Sequence, residues 1–256
     1  MIHRWINFPT LASLMTLTSF IERVNIREMT GRVEPVAGES RPDNLAFDYA
    51  ELMALRADAL RGRPKRVRTR ARILAAAVRE LAAGGYEGLT VDGICAAADI
   101  ARGTFYLYYS DRATVAVAVY RMFWTAVYQL RPRVRGHNLD QRIRVANAFY
   151  LSLYSRNARL LAGQASLSRE RPDFARWHDN MNHRWAQIIA SNMPGTLPHE
   201  EKLLRAHALV AMADELLSSI FTERTRSLLH WKEHPEKLAD CLSAIWSRVV
   251  IGADRG

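Results

Sequence analysis

Residues 100–112 of this chain read IARGTFYLYYSDR, and this stretch decides the fold. No proline interrupts it, and Phe105 and Tyr109 fall four residues apart, so they share one face of a short predicted helix. The other face carries a cation, a hydroxyl and two phenols: Arg102, Thr104, Tyr106 and Tyr108. Side chains of these types contact phosphates and groove edges of DNA, so the stretch is predicted to be a recognition helix.

A second short helix is predicted just before it, over residues 91–98, with Thr90 as its N-cap. Asp99 and Ile100 leave room for only a tight turn, so the two helices form a predicted helix-turn-helix. The alternative is a simple corner of two helices with the aromatic side chains packed inside. Gly103 costs helix stability, about 1 kcal/mol relative to Ala, so we expect it to permit a close approach.

Several separated motifs carry a family resemblance. They are TRARILAAA from Thr69, GGY ending at Tyr86, LTV at 89–91 and GTFYLYY at 103–109. Together they resemble the tetracycline-repressor-like (TetR) family, over roughly residues 68–119; beyond this segment the likeness is one of architecture alone. The resemblance implies a DNA-binding domain of three helices, followed by a helical domain that binds an effector and forms a dimer.

The predicted DNA-binding residues are Thr90, Arg102, Gly103, Thr104, Tyr106, Tyr108 and Arg112. By resemblance, Thr104, Tyr106 and Arg112 look like phosphate contacts. Arg102 and Tyr108 are the better candidates for reading groove edges.

Charge supports a nucleic-acid partner. The chain has 256 residues, enough for a full core, and its 49% hydrophobic content excludes a disordered protein. The formal net charge is +10, and seven cations lie between Arg61 and Arg72 without an acid among them. Such a run attracts polyanions, although a solvent-exposed face without a binding role would show the same sequence pattern. We expect the arm over residues 61–70 to reach an adjacent minor groove.

Two cysteines, Cys95 and Cys241, are too few for a disulfide framework or a zinc motif, which fits a reducing cytoplasm. Residues 5–21 lack charge, but Asn7, Pro9 and several hydroxyl side chains dilute them. We therefore predict neither a membrane span nor a signal peptide.

The chain reads as all-α, without strand alternation or internal repeats. We predict a poorly ordered extension over residues 1–62, a helix-turn-helix domain over 63–119, and a helical effector-binding and dimerisation domain over 120–256. Within the first of these segments, residues 47–60 could form a helix. The other predicted helices, besides those of the helix-turn-helix, are 69–83, 111–130, 139–156, 157–167, 172–192, 198–224 and 235–251.

Aromatic residues at helical spacing suggest a small-molecule pocket in the second domain. The candidates are Phe149, Tyr150, Leu153, Trp177, Met181 and Trp185. Such a stripe most often packs in the core, and the alternative is that it forms the wall of a ligand cavity.

Catalysis has little support, and no cofactor is predicted. No nucleophile elbow, phosphate-binding glycine loop or zinc-protease signature occurs. Asp214 and Glu215 are adjacent, but neighbours on a helix point about 100° apart, which suits no paired acid/base site. His178, Asp179 and His183 lack an evident third metal ligand.

The last two predicted helices carry more apolar residues than one core-facing stripe needs. We predict that Leu209, Leu217, Ile220, Leu242 and Trp246 form a dimer interface, as part of a four-helix bundle. The alternative is that these residues serve only the core of one chain.

The sequence thus predicts a non-enzymatic, ligand-responsive transcriptional repressor that binds a palindromic operator as a homodimer. Two alternatives stay open: an all-helical, metal-dependent enzyme or binding protein, and a non-specific nucleic-acid-binding protein.

Overall fold

The computed structural model describes residues 46–132 and 138–252. Within these ranges every regular element is a helix, which confirms the all-α prediction. The α-helices are α1 Tyr49–Ala59, α2 Lys65–Gly84, α3 Val91–Ala98, α4 Arg102–Tyr106, α5 Arg112–Leu130, α6 Leu139–Glu170, α7 Pro172–Ser191, α8 His199–Phe221 and α9 Pro235–Ile251.

The helix-turn-helix forms as predicted, from local signals. The Thr90 hydroxyl oxygen accepts a hydrogen bond from the Gly93 N–H at 3.0 Å and begins α3. Asp99 ends α3 with a left-handed φ of 48°, a conformation in which Asp is enriched among non-glycine residues. Phe105 and Tyr109 are both buried, and they anchor α4 against the core.

Helix α1 corrects the expectation of a poorly packed extension, for the part that the structure describes. Tyr49, Leu52 and Met53 are at most 2% exposed, and α1 packs along α2. The Tyr49 ring lies 5.1 Å from Phe123, centroid to centroid. This helix is therefore part of the core, because its apolar side chains fill the space between α2 and α5. Residues 1–45 lie outside the described residues.

Helix α6 consists of two helical segments joined at a kink, at the predicted boundary between two helices. It spans Leu139–Glu170, and Asn157 at its kink has non-helical dihedrals, φ −121° and ψ 19°. The Asn157 side chain donates to the Phe47 carbonyl at 2.8 Å and accepts from the Tyr49 N–H at 2.9 Å. The predicted boundary between the two helices thus coincides with this kink. There the Asn157 side chain forms hydrogen bonds with the segment that begins α1.

The remaining helices lie close to their predicted ranges. Helix α2 begins at Lys65, four residues before the predicted start, and α8 ends at Phe221. A 3₁₀ helix over Leu229–Glu233, which was not predicted, connects α8 with α9. None of the helices in the described ranges is long and apolar enough to cross a membrane.

Candidate DNA-binding surface and ligand cavity

Helix α4 presents an exposed polar face opposite its buried aromatic face. Arg102 and Gly103 are exposed, and the Tyr106 side chain is 49% exposed. A Cβ atom built on Gly103 would meet no atom within 4 Å, so nothing in the described protein covers this backbone. The face is therefore open to a large partner such as a duplex.

Arg102 is held in place by two neighbours on this surface. Its Nη1 donates to both carboxylate oxygens of Asp92, at 2.6 and 2.8 Å, and its Nη2 donates to the Tyr106 hydroxyl at 3.3 Å. The hydrogen bond to Tyr106 and the charge of Asp92 raise the pKa of Arg102. The guanidinium is thus oriented and charged before any contact with DNA.

The other predicted contacts differ in accessibility. Thr90 is exposed, but its hydroxyl already caps α3. Thr104 is half-buried, and Tyr108 is half-buried and packs against the core. Tyr106 and Arg102 are therefore the most accessible polar side chains of this set on α4.

Arg112 faces the second domain, contrary to its predicted place on the DNA-binding face. Its Nη1 donates to the carbonyl oxygens of Tyr86 at 3.4 Å and Leu89 at 3.3 Å, and its Nη2 donates to Glu170 at 3.2 Å. The guanidinium also lies 4.7 Å from the centroid of the Tyr86 ring. Because its donors are engaged here, Arg112 joins the helix-turn-helix to the end of α6.

Leu107 is a surface residue that our reading of the sequence missed. Its side chain is 80% exposed directly after α4. The sequence could have indicated this exposure, because Leu107 does not share the helix face of Phe105 and Tyr109. An exposed apolar side chain here has the chemistry to contact a thymine methyl group.

A basic cleft extends this surface between α1 and α2. Its volume is about 480 Å³, and its lining residues are Ala57, Asp58, Arg61, Lys65, Arg68, Thr69 and Arg72. Arg61 forms an ion pair with Asp58 at 2.8 Å, and Arg72 donates to the Asp99 carbonyl at 3.0 Å. Arg72 also pairs with the Asp99 carboxylate at 3.0 Å, so it stabilises the left-handed turn between α3 and α4.

A separate cavity of about 510 Å³ lies in the second domain, and helices α5 to α9 all contribute to its wall. Its aromatic lining residues are Trp124, Phe149, Tyr150, Trp185 and Trp246. The volume and the aromatic lining are typical of sites that bind small organic molecules.

Three of the six predicted pocket residues line this cavity: Phe149, Tyr150 and Trp185. The other three lie elsewhere. Leu153 is fully buried in the core, and Met181 packs against that core. The Trp177 ring stacks on Phe174 at 5.7 Å. The predicted aromatic stripe on α7 is thus divided, because only one part of it faces the cavity.

Asp214 is a cavity residue that the sequence did not single out as one. The Tyr150 hydroxyl donates to its Oδ1, and the two residues are 64 positions apart. Burial raises the pKa of Asp214, although the hydrogen bond from Tyr150 acts in the opposite direction. Only the packing of α6 against α8 brings the pair together.

Most of the predicted dimer-interface residues belong to the core of a single chain. Leu209, Leu217, Ile220 and Leu242 are at most 4% exposed, and Trp246 lines the cavity. They face inward because α8 and α9 both pack on α6. For the four buried residues the dimer-interface prediction is therefore wrong, and the alternative, that they belong to the core of one chain, is correct.

The three residues behind the metal-site alternative do not assemble. The His178 ring stacks 5.9 Å from Phe174, and burial lowers its pKa. His183 instead contacts His207, with Nδ1 and Nε2 3.2 Å apart, while Asp179 is exposed. Within the described residues, no group of three or more His, Cys, Asp or Glu side chains could hold a metal ion.

A capped helix, a tight turn and a short helix with an exposed cationic and phenolic face define a helix-turn-helix DNA-binding protein. Residues 73–119 match the family model of bacterial regulatory proteins, tetR family. The matched segment contains α3 and α4, so the helix-turn-helix of this chain is similar to that of tetR-family regulatory proteins.

Solved structures share the fold. A transcriptional regulator from Rhodococcus sp. Rha1 is 21% identical, with a TM-score of 0.58, over 69% of this chain and 95% of that one. A TetR-like transcriptional regulator from Rhodococcus sp. RHA1 is 20% identical, with a TM-score of 0.55, over 73% of this chain and 97% of that one. No curated protein matches the sequence significantly.

Proposed function

We propose that this chain is a ligand-responsive repressor, without catalytic activity, that binds a palindromic operator as a homodimer. The observation that carries the proposal is the double role of α6. Residues of its first half line the cavity, and residues of its second half bond to α5 and to α2, the helix before the helix-turn-helix. A ligand that moves the first half would thus displace the DNA-binding helices.

Three contacts support this coupling from the kink of α6 to its end. Asn157 bonds the segment that begins α1 at 2.8 and 2.9 Å. The Tyr120 hydroxyl donates to the Leu160 carbonyl at 2.7 Å. Arg112 reaches Glu170 at 3.2 Å. Because the two halves are joined directly at the kink, a shift on the cavity side has a short route to the DNA-binding face.

A homodimer supplies the second recognition helix that an operator needs. One such helix reads only a few base pairs, and two must be held about 34 Å apart to enter successive major grooves. The exposed faces of α8 and α9 are the surfaces we propose for this contact. On α8 the exposed positions include Leu204, Ala208, Ala211 and Glu215, and on α9 they include Cys241, Ala244, Ile245 and Arg248.

These faces suit close helix packing. The exposed positions recur at intervals of three and four residues, which places them along one stripe of each helix. Several of the side chains are small, so a second helix can approach closely. Leu204 is 69% exposed and Ile245 is 38% exposed, which leaves apolar surface for a partner to bury.

Charged substitutions on these faces test the dimer. Leu204→Glu and Ile245→Glu should give folded monomers that lose operator affinity, measured by sedimentation and by fluorescence anisotropy. Leu55→Glu, at an exposed leucine of α1, is the matched control and should stay dimeric. A wild-type protein that sediments as a monomer at micromolar concentration, yet binds its operator tightly, would disprove the dimer.

The operator is tested by selecting bound duplexes from a random-sequence library. We expect an inverted repeat whose half-sites lie about 34 Å apart, one helical turn. Placed in a promoter, the selected sequence should lower transcription when the protein is present. Release by a small molecule would establish the ligand response.

A second candidate function, non-specific binding of nucleic acid, is favoured only by the basic cleft of α1 and α2. The same selection decides between the two. A ratio of specific to scrambled-duplex affinity below about 10 at physiological salt would favour the non-specific binder.

A further inference from the structure

The ligand cavity has a chemical bias that its volume alone does not reveal. Among the described residues that line it, Asp214 is the one acid. The wall is mostly aromatic and aliphatic, and the Tyr150 hydroxyl donates a hydrogen bond to Asp214. No ion pair joins Asp214 to a cationic side chain of the described part of the chain.

An unpaired carboxylate in such surroundings is costly. Removing it from water disfavours the ionised form unless an opposite charge or several hydrogen bonds compensate. The raised pKa of Asp214 agrees with this physical picture. A positively charged ligand group beside Asp214 would supply the missing compensation.

The two arginines that line the cavity have other partners. The Arg131 guanidinium lies 3.8 Å from the centroid of the Tyr128 ring and donates to the Tyr128 carbonyl. Arg142 is exposed and donates to Asn192 at 3.1 Å. Neither forms a bond with Asp214, so the carboxyl is left for a ligand.

The aromatic wall favours a cation as well. Trp and Tyr rings attract cations over their faces. Trp124 and Tyr150 contribute to the wall. A third such ring, Trp185, already has the Arg131 guanidinium 5.6 Å from its centroid. A half-buried acid in a cavity that such rings line combines the two features that recognise ammonium groups.

We propose that the cavity binds a lipophilic organic cation, an amine or quaternary ammonium compound with an aromatic body, whose charged nitrogen lies against Asp214. This inference rests on the proposed function, in which the second domain binds the effector. Asp214 supplies the selectivity for charge, and the aromatic side chains supply most of the apolar contact area.

Three probes with the same body and different charge test the inference. Naphthylmethyl-trimethylammonium is the cation, naphthyl-N,N-dimethylacetamide is uncharged, and naphthylacetate is the anion. Isothermal titration calorimetry of the full chain should show that the cation binds at least about tenfold more tightly than the amide. Asp214→Asn should remove this preference and leave the affinity for the amide unchanged.

Asp179→Asn is the matched control, since it makes the same change at an exposed carboxylate of α7 that does not line the cavity. It should bind all three probes as the wild type does. Thermal unfolding of each variant verifies that it is folded.

Two results would overturn the inference. One is a cation that binds no better than the amide, which includes the case in which no probe binds. The other is an Asp214→Asn variant that keeps the full preference for the cation. Operator binding, measured separately, distinguishes this failure from failure of the proposed function, because a regulator of anionic or neutral ligands would still bind its operator.

Discussion

The carboxylate of Asp92, on α3, accepts two hydrogen bonds from Arg102, on α4, at 2.6 and 2.8 Å. Both side chains are more than half exposed, so the pair adds little to stability. Its consequence is geometric, because it holds the Arg102 guanidinium above the face that we propose for DNA. When Arg102 binds a base, its guanidinium would exchange the Asp92 carboxylate for the base without having to reorient.

We predict that Arg102→Ala relaxes sequence discrimination. The loss should be about 1–3 kcal/mol at one base pair of each half-site, because a base-reading arginine contributes about that much. Competition binding with single-base operator variants measures it. Asp92→Asn, which retains Arg102 and one acceptor oxygen for it, should lose less discrimination than Arg102→Ala. Equal losses of Arg102→Ala on specific and random duplexes would contradict a base-reading role.

Arg112→Ala should affect folding more than DNA binding. Its guanidinium bonds two main-chain carbonyls and Glu170, so truncation should lower the free energy of unfolding by about 1–2 kcal/mol. Urea unfolding measures this change. The slope of log affinity against log salt should stay unchanged. A slope reduced by about one unit would instead show that Arg112 contacts a phosphate.

Ala101→Ser should stabilise the recognition helix. Ala101 is the N-cap of α4, and its side chain makes no capping hydrogen bond. A serine oxygen can accept from a free N–H of the first turn, which stabilises a helix by about 1 kcal/mol. Thermal unfolding should show the gain for Ala101→Ser and none for Ala101→Val. An unchanged melting temperature for the serine variant would mean that water already caps this end equally well.

Removing two cations from the start of α2 should weaken binding to every duplex alike. Lys65 and Arg66 are exposed there. For Lys65→Ser combined with Arg66→Ser, the salt slope should fall by up to about two units, one for each lost phosphate contact. Arg226→Ser combined with Lys232→Ser, at exposed positions between α8 and α9, is the control of equal charge. An unchanged slope would show that the arm is only a solvated face.

Deletion of residues 1–66 would be a less clear test of the same arm. It also removes Tyr49, Leu52 and Met53, which are buried in the core. Loss of DNA binding could then follow from loss of folding.

Asp214→Asn should stabilise the ligand-free protein at neutral pH. Since burial raises the folded-state pKa of Asp214, the unfolded chain ionises first as the pH rises above 3.8, the ordinary value. Ionisation therefore favours the unfolded state until the pH passes the folded-state pKa. The melting-temperature advantage of Asp214→Asn should be smallest near pH 4 and grow towards pH 7. An advantage independent of pH would contradict burial of the carboxyl.

The sequence by itself determined the helix-turn-helix, because its signals are local. The Thr90 cap, the spacing of Phe105 and Tyr109, and the short connection through Asp99 act within a few residues. Such local signals act independently of tertiary contacts, so the predicted and observed helices agree closely here.

Only the tertiary structure decided which neighbours each exposed or apolar side chain meets. Leu217 reads equally well as an interface or a core residue, and it became a core residue because α8 packs on α6. Arg112 donates a hydrogen bond to Glu170, 58 positions away, and Asp214 accepts one from Tyr150 in the cavity wall. These outcomes depend on contacts between distant segments, and the hydrophobic period of one helix carries no information about its partner.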